Sequence, residues 1–76
     1  MQVTLKAARI NRKLTQSEAA QKLGISVSTL ANYEQGRKFP DVPMIKKIEA
    51  LYETTYDEII FLPSDNSFWR ILFHSS

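Results

Sequence analysis

Val27, Ser28, Ala31, Asn32 and Gln35 recur at helical intervals, so a helix running through them carries all five on one side. That side holds no charge. An Asn or Gln amide pairs with adenine through two hydrogen bonds, a Ser hydroxyl pairs with any base, and Val or Ala meets a thymine methyl. The surface therefore suits a groove lined with base edges. It would equally suit a helix packed against another protein, and these residues alone leave both readings open.

The other side of the same helix carries Leu30, Tyr33 and Glu34, with Leu30 turned to the core. A carboxylate facing inward costs several kcal/mol unless it is paired, and Arg9 is the natural partner. Arg9 shares a helix face with Leu5, and its planar fork can hold Glu34 at two points, a structural ion pair. Gln16 falls in the first turn of another helix, where open backbone amides and the helix dipole favour an anion; a phosphate is the expected ligand. Arg37 and Lys38 follow the uncharged helix and are placed to touch the same phosphate backbone. Lys6, Arg12, Lys13 and Lys22 add to the positive field.

The elements that position these residues are punctuated clearly. Leu5, Ala8 and Arg9 set a first helix running to about Lys13. Thr15-Gln16-Ser17-Glu18 is a capping box, predicting a second helix over 16–23 that buries Ala19, Ala20 and Leu23 and ends at Gly24. Ser26 caps the third helix and Gly36 ends it; two short helices joined through Gly24-Ile25-Ser26 predict a helix-turn-helix. Residues 37–43, with two prolines and a basic pair, read as a loop. Ile45, Ile48, Leu51 and Tyr52 give a fourth helix, and Thr55-Tyr56-Asp57-Glu58 is a second capping box for a short fifth helix that closes the core with Ile59 and Ile60. No strand is predicted before Leu62.

Composition limits the alternatives. The chain has 76 residues, 43% apolar and 24% charged, which predicts one compact domain with one small core. It has no cysteine, so disulfides and thiolate metal sites are excluded and a reducing cytoplasm is the expected setting. The single His74 supplies neither a metal cluster nor a nucleophile–base pair, so an enzyme is not expected, nor a cofactor or metal. No stretch approaches the roughly 18 apolar residues of a membrane span, and the opening residues are too charged for a signal peptide. Net charge is only +2, but residues 1–38 carry seven Lys/Arg against Glu18 and Glu34, whereas residues 39–76 carry three against six acidic residues. The first half is the candidate anion-binding half.

The run from Thr15 to Gly36, TQSEAAQKLGISVSTLANYEQG, resembles the helix-turn-helix of the phage-repressor and Cro type, the XRE family. The likeness extends from about Leu5 to Leu62, with PDVPMIKKI and YDEII matching the last two helices of that family's compact all-α, five-helix fold. The resemblance implies a phosphate-binding Gln16, base-reading side chains at Ser26, Val27, Ser28 and Asn32, and phosphate contacts from Gln35, Arg37 and Lys38. It also places the inward Arg and Glu at Arg9 and Glu34. It further implies a homodimer on the palindromic operator of double-stranded DNA, with half-sites about one helical turn apart. Val27 departs from the pattern, standing where a hydrogen-bonding side chain is common.

Residues 1–62 thus form the expected DNA-binding domain, and 63–76 an apolar tail without counterpart in the family core. The tail carries Phe68, Trp69, Ile71, Leu72 and Phe73, which suit a dimerisation element, a protein partner's docking segment, or a cover over the chain's own core. The expected function is a transcriptional regulator, a repressor, acting from the cytoplasm; an antitoxin that regulates its own synthesis and a protein-interaction module are the alternatives.

Overall fold

A computed structural model of the chain describes residues 2–61. The order of elements is β1 (Val3–Thr4), α1 (Leu5–Asn11), α2 (Gln16–Leu23), α3 (Val27–Glu34), α4 (Val42–Tyr52), a single 3₁₀ turn (Tyr56–Glu58) and β2 (Ile59–Ile60). The helix starts follow from capping chemistry. Thr4, Thr15, Ser26 and Asp41 each accept a backbone N–H from the residue three positions on, satisfying a donor that the first turn leaves open. At Thr15 the box is complete: Glu18 N–H donates to the Thr15 hydroxyl at 3.0 Å and Thr15 N–H to the Glu18 carboxylate at 2.9 Å. These Thr15 hydrogen bonds, backbone first and hydroxyl second, hold the Glu18 carboxyl below its usual range. Gly24, at φ +74°, supplies the left-handed turn that ends α2 and redirects the chain into α3.

Leu5, Ala8, Ala19, Ala20, Leu23, Leu30, Tyr33, Ile48, Tyr52 and Ile59 form the core, drawing on all four α-helices and β2. α2 makes its most extensive contact with α3, and the near-complete burial of Ala19 and Ala20 is what small side chains permit at a close helix crossing.

Several expectations require correction. The described residues hold four α-helices, not five. Thr55 makes no side-chain cap; Tyr56 N–H donates instead to a Glu49 carboxylate oxygen at 2.7 Å, and one 3₁₀ turn is all that follows. The chain then runs extended, because Ile59–Ile60 pairs in parallel with Val3–Thr4, in the register Val3↔Ile59 and Thr4↔Ile60. That pair overturns the expectation of no strand before Leu62. Strand geometry also splits the two isoleucines: Ile59 is 6% exposed and Ile60 40%, as successive side chains must face opposite ways.

At the other ends, α1 stops at Asn11, with Lys13 left-handed at φ 59°, short of the expected end at Lys13. α4 begins at Val42 inside the expected loop, because Pro43 lies in its first turn, where a missing N–H and a fixed φ cost nothing.

Tyr52 closes α4 within the core at 3% exposure, its hydroxyl buried without a hydrogen-bond partner among the described residues. Burial foremost, and the nearby Glu34 charge second, push its pKa up from 10.0 to about 12, with Arg9 opposing. A raised acid pKa means that the fold prefers the neutral phenol. The associated stability is complete below pH 10 and is lost as pH rises from 10 through about 12. Tyr52→Phe should flatten that alkaline loss without lowering stability at neutral pH, checked by urea midpoints on either side of the window.

Candidate nucleic-acid interface

α3 presents two unlike sides. Leu30 is fully buried, and Tyr33 and Glu34 are buried with it. On the opposite side Val27, Ser28 and Gln35 are exposed, and Ala31 and Asn32 are half-buried. The Ser26 hydroxyl is already engaged, accepting Thr29 N–H at 3.0 Å and lying 2.8 Å from the Thr29 hydroxyl. Thr29 has no role in the sequence reading. It fixes the hydroxyl of the first candidate base-reading residue, a contact that a three-residue cap spacing could have suggested.

Gly36, at φ +77°, turns the chain at the end of α3. The Asn32 carbonyl then accepts Arg37 N–H at 2.9 Å and Lys38 N–H at 3.4 Å. Both bonds fasten the start of the basic loop to the residue with the central amide on the outer side of α3. Arg37 and Lys38 are exposed, so two cations stand at the edge of an uncharged strip. Lining that strip with positive charge at one end favours a polyanion with information-bearing edges.

Behind the strip lies a charged knot. Arg9 Nε donates to Glu34 Oε2 at 2.7 Å and Arg9 Nη2 to Glu34 Oε1 at 3.3 Å, a two-point fork with both side chains buried. Arg9 Nη1 also donates to the Leu14 carbonyl at 2.9 Å, in the turn between α1 and α2. Gln16 joins from the first position of α2, its Nε2 donating to Glu34 Oε1 at 3.0 Å. Sequence reasoning treats Gln16 as a free anion-binding side chain; the structure ties it to α3. The capping box takes up the amides of Thr15 and Glu18, leaving those of Gln16 and Ser17 without a partner among the described residues.

An apolar cluster that was not anticipated begins directly after the basic pair, at Phe39. Phe39, Val42 and Tyr56 are exposed there, and the Phe61 ring lies 4.8 Å from that of Phe39 and 5.6 Å from that of Tyr56. The tail assigned to dimerisation, residues 63–76, lies outside the described residues. Among the described residues no group of three or more His, Cys, Asp or Glu is placed to hold a metal, and no helix is long and apolar enough to cross a membrane.

Residues 5–59 match the helix-turn-helix family. The chain is also similar to the HTH-type transcriptional regulator ImmR of Bacillus subtilis (strain 168), 39% identical over 56 residues. That stretch is 74% of this chain and 44% of the relative, so the chain spans less than half the length of the protein it resembles. No solved structure matches it.

Proposed function

The chain belongs to the helix-turn-helix family, and from that membership we propose that it is a DNA-binding regulator of transcription that lays α3 in the major groove. What supports the reading is one arrangement: an uncharged outer side of α3, opposite a fully buried Leu30, with Arg37 and Lys38 bonded through their amides to the Asn32 carbonyl. Val27, Ser28 and Asn32 then read base edges, while Gln16, Gln35, Arg37 and Lys38 hold phosphates. Ser26 sets the start of α3 and meets DNA with the part of its hydroxyl that Thr29 leaves free. The similar protein's description as a transcriptional regulator supports the same role here. The reading extends to repression from the cytoplasm, by a homodimer occupying a palindromic operator with half-sites about one helical turn apart.

Titration with duplex DNA at several salt concentrations tests it. Neutralising Z phosphates gives a log–log slope of about −0.9Z, and Lys38→Ala should shallow that slope by about one while weakening all sequences alike. A slope of zero would remove the DNA reading. Asn32→Ala should behave differently, reducing discrimination among sequences by about 1 to 3 kcal/mol with little change in the salt slope. Affinities for a selected duplex and its base-substituted variants provide the check; unchanged preference would move the reading face elsewhere.

A further inference from the structure

We propose that Glu34 is a positioning residue for DNA binding: by accepting the Gln16 amide it fixes that side chain for its phosphate contact and couples the contact to the seat of α3. The proposal rests on the DNA reading above. Glu34 is 8% exposed, so an effect on DNA passes through another side chain. Gln16 is that side chain, half-buried at the first position of α2, with Nε2 3.0 Å from Glu34 Oε1.

Three features separate this from simple ion pairing. Arg9 already meets both oxygens of Glu34, so the pair does not need a third donor to be satisfied. The third donor comes from a third element: Arg9 lies on α1, Glu34 on α3 and Gln16 on α2. An amide nitrogen also has two hydrogens, and only one is spent on Glu34, leaving the other to donate to a ligand at the start of α2. A long flexible glutamine loses rotamer freedom when it binds; one already held by a carboxylate has lost it beforehand. The carboxylate further polarises the amide and strengthens its remaining N–H as a donor. Left alone, a negative charge so close would repel a phosphate. The Arg9 guanidinium, itself fixed by the Leu14 carbonyl, cancels it.

A double-mutant cycle on DNA affinity decides the matter, using Gln16→Ala, Glu34→Gln and the double variant with a fluorescein-labelled duplex of mixed sequence at fixed salt. Glu34→Gln should weaken binding about fivefold in the natural background and leave the Gln16→Ala variant unchanged, the signature of groups acting in series. The same factor in both backgrounds, with DNA binding otherwise intact, overturns the proposal and leaves the DNA reading standing. Absence of salt-dependent binding by the unsubstituted chain overturns both. Should Glu34→Gln fail to fold, NMR of the unsubstituted chain gives the answer. The two Gln16 side-chain protons should differ in solvent exchange, with a scalar coupling across the hydrogen bond to the Glu34 carboxyl carbon. Equivalent exchange of both protons, as for the exposed Gln21, would show that Glu34 does not hold the amide.

Discussion

Replacing Glu34 with alanine should lower the unfolding free energy by about 3 to 5 kcal/mol, because it strands a buried guanidinium. Arg9 and Glu34 have side chains 9% and 4% exposed, and the carboxylate accepts three of the donors that meet in this part of the fold. After the substitution the Leu14 carbonyl remains as a partner for Nη1, while Nε and Nη2 face a cavity. Small domains carry about 5 to 15 kcal/mol in total, so the variant should sit close to the edge of folding. At roughly 4 to 8 °C per kcal/mol for a domain of this size, the melting temperature should fall by at least about 12 °C. Urea denaturation followed by far-ultraviolet circular dichroism measures it. A midpoint close to that of the natural chain would mean that water reaches the guanidinium and the pair is not buried. Replacing both partners with apolar residues should be far milder than removing one, because no charge is then left behind.

The middle of the fold was legible because its signals are local. Thr15 and Glu18, Ser26, Gly24 and Gly36 each mark a boundary through chemistry confined to one turn, and α2 and α3 begin where those residues place them. The two sides of α3 were legible for a related reason: helical geometry alone separates Leu30, Tyr33 and Glu34 from the outer strip. What escaped depends on distant partners. A pair of two-residue strands is too short to show a period, so Val3–Thr4 and Ile59–Ile60 reveal themselves only when the ends of the domain meet. Thr55-Tyr56-Asp57-Glu58 has the letters of a capping box, yet the extended pairing just beyond it and the Glu49 carboxylate compete successfully for the backbone. Pro43 looked like a loop residue because its tolerance in a first turn depends on Asp41 capping two residues earlier. The Gln16–Glu34 bond likewise spans two helices, and neither residue's neighbours point to the other.

Leu30→Ala should cost about 2 to 5 kcal/mol, the range for emptying a large side chain's place in a packed core. Leu30 is 0% exposed, and α3 has eight residues, too few to persist as a helix without tertiary support. Its orientation is therefore set by the anchors on its inner side, of which Leu30 is the apolar one closest to the middle of the helix. The substitution touches nothing on the outer strip. Affinity for every duplex should fall together, in proportion to the folded fraction, while the ratio between a preferred sequence and its variants holds. Asn32→Ala, only two positions away but on the opposite side, should do the reverse, keeping the urea midpoint and losing the ratio. Measuring both quantities for both variants thus separates anchoring from reading. If Leu30→Ala changed the sequence ratio at saturating stability, with osmolyte restoring the fold, the inner side would also steer the angle at which α3 meets its ligand. If it left the urea midpoint unmoved, α3 would not be seated by this face at all.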